Sequence, residues 1–239
     1  MSVSEQGKSE QAQAVLDELP MLKLMPEAVS RLVVDSFLPV SFGFGSVIVE
    51  EGAEADAFYV IVSGTARALK TKEDGEEVSL NALKGGDSFG ELGLLEDSTR
   101  SATVRASSPV EVLRLDKSVF KALAQSNPEV REYFERHIRG HRLRDFFRLY
   151  SEFARLPADT LELLIAALEP VAVPEGAVVV RQGEAPAPMH IIQRGRMRVF
   201  HEEDGERSDL AYLRRGDFFG ERSLLRATDQ TTSVEAISG

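Results

Sequence analysis

The stretch Phe89-Gly90-Glu91-Leu92-Gly93-Leu94-Leu95, followed by Arg100-Ser101-Ala102-Thr103, carries the most specific chemistry in the chain. Gly90 and Gly93 let a backbone approach a ligand closely, and Leu92, Leu94 and Leu95 can open a short helix packed on a core. The first N–H groups of such a helix lack intrahelical acceptors, and its dipole adds positive potential, so this end suits an anion. Arg100 supplies the countercharge, because its planar fork reaches two phosphate oxygens at once, which a lysine does not. A glutamate beside a phosphate is sensible when the ligand also carries hydroxyls. Glu91 then accepts a charge-assisted hydrogen bond from a ribose 2′-OH, and the ligand is a ribonucleotide.

The elements that must hold these residues come in duplicate. Pro26, Pro39, Gly45, Gly52 and Gly64 recur as Pro157, Pro170, Gly176, Gly183 and Gly195, each 131 positions later (52 to 183, for example). Asp74-Gly75, Gly86-Asp87 and Phe89-Gly90-Glu91 recur 130 later as Asp204-Gly205, Gly216-Asp217 and Phe219-Gly220-Glu221. Turn-forming residues at matched offsets mean two copies of one domain. Between the glycines lie short strand-like runs (SVIVE, AFYVIV, ARALKT and VEVLRL, then AVVVR, MHIIQ and RMRVF), and the Asp-Gly pairs fit hairpin turns. Many short strands with such turns imply a mainly β fold with flanking helices, a barrel or jelly roll.

Helical signals bracket the first copy. Met25-Pro26-Glu27 opens one apolar-periodic run, and Asn127-Pro128 reads as an N-cap with proline at the first helical position. Val130, Phe134, Ile138, Phe146, Tyr150 and Phe153 then recur near the helical period, so a long helix leads to the second copy. The expected organisation is an N-terminal polar or helical extension over 1–23, a first domain over 24–126, a linking helix over 127–155 and a second domain over 156–239. The second copy stops where the first continues through VEVLRLDKSVF, which favours a fragment of a longer protein over a barrel with an unpaired edge.

Composition narrows the function classes. The chain has 239 residues, 43% hydrophobic and 28% charged, as globular proteins do. With no cysteine, neither a disulfide framework nor thiolate chemistry is available, which fits a reducing, cytoplasmic setting. The start, MSVSEQGKSEQAQAV, lacks the apolar run of a signal peptide, and Glu162, Glu169, Pro170, Pro174 and Glu175 interrupt the most apolar stretch, so no direct membrane insertion is expected. A net charge of −11 opposes the attraction behind nonspecific nucleic-acid affinity.

The stretch 89–103 resembles the phosphate-binding cassette of cyclic-nucleotide-binding domains, whose pattern is F-G-E-L-A-L, a variable spacer and P-R-A-A-T. Phe89 to Leu94 fits the first block and Arg100 to Thr103 the second, with Thr99 where the family usually has proline. The preceding glycine-punctuated strands and the following helix match the family's jelly roll as well. The resemblance implies that Glu91 binds the ribose 2′-OH, that Arg100 binds the cyclic phosphate, and that the N–H groups of Gly90, Leu92 and Gly93 take its remaining oxygens. Ser101 adds a hydroxyl; in the family such a residue sometimes accompanies cGMP, which leaves cAMP the favourite of the two ligands. It also implies a lid, the helix over roughly 117–150 closing on the purine, with Phe134, Phe146 and Phe147 as candidates to stack on the base. No other cofactor, and no catalytic or metal-binding residue, is expected.

The second copy keeps Phe219-Gly220-Glu221 but has Gln230 at the position of Arg100, and Arg222 and Ser223 in place of Leu92 and Gly93. Loss of a buried charge partner costs ~2–5 kcal/mol, so this copy is expected to bind cyclic nucleotides weakly or not at all unless Arg222 or Arg226 substitutes. His137 and His141, four apart on a helix, have zinc-compatible spacing but no evident third ligand, and are expected to face solvent. Gly43-Phe44-Gly45 reads as a turn, and the arginines of the linking helix, interleaved with Glu132, Glu135, Asp145 and Glu152, as a solvated face.

The reading that follows is a cyclic-nucleotide-sensing regulatory module, not an enzyme, coupled to a C-terminal effector domain or partner protein and compatible with a homodimer. Tandem copies resemble regulatory subunits of cyclic-nucleotide-dependent kinases, and LRDFFRLYSEFARLP is similar to linkers of some bacterial ABC exporters. A transcription regulator of the catabolite-activator type needs a helix-turn-helix where the second barrel stands. A metal-dependent cupin needs clustered histidines, and His137, His141, His190 and His201 lack that spacing.

Overall fold

The structure, a computed structural model, describes residues 3–72 and 75–238, in two compact units that divide after Arg142. The first unit opens with three helices, α1 (Val3–Glu18), α2 (Pro20–Lys23) and α3 (Glu27–Asp35). Strands β1 (Leu38–Phe42), β2 (Val47–Val49), β3 (Ala57–Ser63), β4 (Thr65–Thr71), β5 (Glu77–Lys84) and β6 (Ser88–Phe89) follow, then α4 (Glu91–Leu95), β7 (Thr103–Ala106), β8 (Val110–Asp116), α5 (Lys117–Ser126) and α6 (Pro128–Tyr150). The strands form two antiparallel sheets, ordered β1-β8-β3-β6 and β2-β7-β4-β5, which together make the jelly roll.

Strand β3 shows how one sequence serves two cores. Its residues are almost all buried, and the two-residue period of a strand sends alternate side chains to opposite faces. Ala57, Tyr59 and Ile61 point into the barrel with Ile48, Leu83, Phe89 and Val112. Phe58, Val60 and Val62 face the helices, where Leu16, Met21, Phe120 and Phe134 cover them. Phe58, Phe120 and Phe134 close this layer with ring centroids 4.9–5.4 Å apart. The Asp116 side chain caps α5 by accepting from the Ser118 N–H at 3.0 Å. Proline opens α6 as expected, but the Asn127 amide donates backwards to the Leu123 carbonyl at 3.0 Å, closing α5 rather than capping α6.

The second unit contains the end of α6, a 3₁₀ turn (Glu152–Arg155), α7 (Ala158–Ala166), β9 (Val178–Val180), β10 (His190–Ile191), β11 (Arg196–Glu203), β12 (Glu206–Leu213), β13 (Phe218–Phe219), α8 (Glu221–Arg226) and β14 (Ser233–Ser238). Helix α6 thus ends at Tyr150, and Ser151 starts the 3₁₀ turn by accepting from the Phe153 N–H. The repeat includes the helix that follows its first proline: α3 at 27–35 recurs as α7 at 158–166, at the offset of 131. Asp204 and Gly205 both have positive φ, as a type I′ hairpin turn requires. Gly75 is likewise left-handed, while Asp74 lies outside the described residues.

Four strands of the second unit pair as β12-β11-β14-β9, but its other sheet is only β10-β13. Among the described residues, the segment matching β1 forms no strand, and Val171 there is 68% exposed. Among the described residues, no helix is long and apolar enough to cross a membrane.

Candidate functional site

The corner between β6 and α4 builds the site. Gly90 turns it with φ of +93°, a conformation that side chains rarely adopt, and a Cβ there would come within 2.5 Å of the Arg100 Nη1. Gly93 serves packing: a Cβ would meet that of Ala55 at 2.8 Å and the Ser98 and Thr99 carbonyls at 3.1 Å. Without this glycine, α4 could not lie against the loop that returns to Arg100.

That loop is pinned by backbone. The Arg100 N–H donates to the Ala53 carbonyl at 2.8 Å, the Gly52 N–H donates to the Arg100 carbonyl at 2.9 Å, and Thr99 bridges to Glu54. The loop is therefore held at Thr99 even without the family's proline. Its guanidinium, 4% exposed, lies inside: Nη1 donates to the Gly90 carbonyl at 3.0 Å, and Nη2 donates to the Ala57 carbonyl at 2.8 Å and Asp56 Oδ1 at 2.7 Å. Arg114 holds the other Asp56 oxygen at 3.2 Å. Burial raises the Asp56 carboxyl, but hydrogen bonds from Arg114 and Arg100 outweigh it and hold it below the usual aspartate range. Arg100 Nε is buried with no hydrogen-bond partner.

Glu91, at the start of α4, is 2% exposed. His141 Nδ1 lies 3.3 Å from its Oε1, while its Oε2 is buried without a hydrogen-bond partner. Tyr133 stacks on His137 at 5.9 Å, and burial and then the Glu91 charge push its hydroxyl pKa up. Glu91, Gly93 and Arg100 are therefore buried around Gly90, with Leu92 half-buried beside them. Ser101 stands apart: its side chain is exposed, and its carbonyl accepts from Lys70.

Two expectations need correction. His137 and His141 do not simply face solvent; both are half-buried and turn towards Glu91, which is the third acidic or imidazole group that sequence spacing did not reveal. Phe134, Phe146 and Phe147 are packed in cores and unavailable to a base, whereas Tyr133, one residue before Phe134, is half-buried and stacks on His137. Asp56 was not anticipated; its only sequence signal is an acid placed just before an apolar strand. The arginines of α6 do form the paired face expected, Arg131 with Glu135, Arg142 with Glu96 and Arg144 with Glu162.

The second unit repeats the frame without the charges. The Gln230 N–H donates to the Glu184 carbonyl at 2.8 Å and the Gly183 N–H to the Gln230 carbonyl at 2.8 Å, as at Arg100. Tyr59 stacked on Phe89 at 5.1 Å becomes His190 stacked on Phe219 at 5.0 Å. Yet Gln230 replaces Arg100, and Ala187 stands where Asp56 does, 131 positions on. Ser223 is buried and donates to the Gly220 carbonyl at 3.1 Å, and Arg222 and Arg226 are exposed. Leu224 is 53% exposed, whereas its counterpart Leu94 of the first unit is fully buried.

The family model of the cyclic nucleotide-binding domain matches residues 39–127 and 170–239. The chain belongs to this family. Its relatives include a cGMP-dependent protein kinase of Caenorhabditis briggsae, egl-4, 29% identical over 194 residues that cover 80% of this chain and 24% of the kinase. A cAMP-dependent protein kinase regulatory subunit of Aspergillus fumigatus is 39% identical over 111 residues, 46% of this chain and 26% of that protein. The chain thus spans about a quarter of the length of these relatives. A solved structure, the regulatory domain of Toxoplasma gondii PKA with cAMP, aligns over 97% of this chain and 86% of its own at 23% identity and a TM-score of 0.48.

Proposed function

We propose that the first unit binds a cyclic purine nucleotide, cAMP in preference to cGMP, and acts as the sensing module of a larger regulated protein. One observation carries this reading. Arg100 Nε, a cationic donor, and Glu91 Oε2, an anionic acceptor, are both buried and both lack a hydrogen-bond partner. Orphaned buried polar atoms are costly, and a phosphate oxygen and a sugar hydroxyl would satisfy this pair. The N–H groups of Gly90, Leu92 and Gly93 take the remaining phosphate oxygens, and Ser101 stands at the rim. Asp56 and the two carbonyls already fix the guanidinium, so little side-chain entropy is lost on binding.

In this reading the second unit is a frame that has lost its ligand, with Gln230 and Ala187 at the positions that carry charge in the first. The chain acts by binding rather than by catalysis, in the cytoplasm and without nucleic acid, and its partner is a C-terminal effector or a separate protein, with homodimerisation left to sedimentation. Titration calorimetry of the intact protein with cAMP and with cGMP tests the proposal. Saturable binding of one nucleotide per chain, tighter for cAMP, is the expected result; two equivalent sites, or no binding of either, refutes it.

A further inference from the structure

Helix α6 brings two imidazoles to Glu91. Tyr133, His137 and His141 recur at four-residue steps along one face, with the Tyr133 and His137 rings stacked at 5.9 Å and the two imidazoles 4.3 Å apart, centroid to centroid. One ligand atom from each of Glu91, His137 and His141 lies within 4.8 Å of the others. Zinc holds nitrogen and oxygen ligands at about 2.0–2.2 Å in a tetrahedron, whose edges are then about 3.4 Å. His141 Nδ1 and Glu91 Oε1, 3.3 Å apart, already span such an edge, and a ring nitrogen of His137 lies within 4.8 Å of both ligand groups. Two histidines one helical turn apart plus a carboxylate from another element suit zinc rather than calcium or magnesium, which prefer oxygen.

The carboxylate itself is the second, independent sign. Glu91 is buried with an unpartnered oxygen, and the nearest fixed cation of its own loop, Arg100, is engaged by Asp56 and two carbonyls. A divalent ion would supply the missing countercharge. We propose that Glu91, His137 and His141 bind a zinc-class divalent cation. Such an ion ties α6 to the carboxylate that the proposed nucleotide needs for its sugar, so metal and nucleotide exclude one another; this competition rests on the nucleotide reading, while the metal site does not.

Cobalt(II) added to the intact, chelator-treated protein without nucleotide tests the site. Saturable visible absorption of a four-coordinate ion, displaced by zinc, is the expected result. His137→Ala and His141→Ala are each expected to weaken binding by at least the roughly tenfold that loss of even a supporting group costs. The double variant should lose the absorption while keeping its far-UV circular dichroism, since both rings are half-buried surface groups. Zinc is expected to weaken nucleotide binding in the unaltered protein and to leave it unchanged in the double variant. Absence of a saturable signal, or a signal that survives both histidine substitutions, overturns the site; zinc without effect on nucleotide affinity overturns the competition. A protein that takes cobalt through these histidines yet binds no cyclic nucleotide keeps the metal site and refutes the sensing role instead.

Discussion

Truncating Arg100 to alanine separates the stability role of its guanidinium from its binding role. In the folded chain it donates to Asp56 and to the carbonyls of Gly90 and Ala57, with its side chain 3% exposed. Removing one partner of a fully buried ion pair costs about 3–5 kcal/mol. Asp56 is 55% exposed and keeps Arg114, so its share is screened, and the main loss is the two carbonyls. A stability loss of about 1–3 kcal/mol follows, within what a folded domain tolerates. The ligand loses its only cationic contact in the proposed pose, which is worth about 2–5 kcal/mol, or roughly thirty-fold to several-thousand-fold in affinity. Arg100→Lys keeps the charge but not the fork, and should recover only part of it. Calorimetry with cAMP, run beside thermal unfolding so that affinity is read on folded protein, checks both numbers. Unchanged affinity in a folded Arg100→Ala protein would falsify the assignment of Arg100 to the phosphate.

Other substitutions probe the frame around that group. Gly93→Ala forces a methyl against Ala55 and the Ser98 and Thr99 carbonyls and should destabilise by about 1–3 kcal/mol; an unshifted unfolding midpoint would show that the loop yields freely. Gln230→Arg alone should cost several kcal/mol, on the order of 3, because Ala187 offers no carboxylate, and the double change with Ala187→Asp should recover part of it; additive losses in thermal unfolding would contradict this coupling. Asp56, held below the usual aspartate range when folded, contributes stability that is present above its unfolded value of about pH 4 and is lost as pH falls through the lower folded value. The stability gap between the natural chain and Asp56→Asn should therefore narrow on acidification, and a gap independent of pH argues against the Asp56 ion pairs.

Much of the fold was legible because turns leave strong marks. Glycines at repeated offsets sit at positive φ in both units, at Gly45 and Gly176 and at Gly52 and Gly183, where sterics admit little else. The cassette was legible for the same reason, since Gly90 must turn and Arg100 must meet something buried. What sequence left unread depends on contacts across distance. Asp56 becomes part of the site only when β3 and the cassette loop come together, 44 residues apart in the chain. The aromatic residues of α6 share one helical period, so periodicity does not distinguish Phe134, which packs on Phe58, from Tyr133, which stacks on His137. Likewise, the third neighbour of His137 and His141 lies some fifty residues earlier in the chain, beyond the reach of any local spacing rule.

In the first unit Lys70 and Glu51 form an ion pair at 2.8 Å, and the Glu51 N–H donates to Thr103; in the second the same places hold His201 and Gln182, 3.2 Å apart, with the Gln182 N–H donating to Ser233. Counterions weaken attraction between two partly exposed charges but act little on a contact made by an uncharged amide. Rising ionic strength should therefore slacken this fastening between neighbouring strands in one copy and spare it in the other. Descendants of one ancestral sheet thus differ in how tightly salt lets their strands hold.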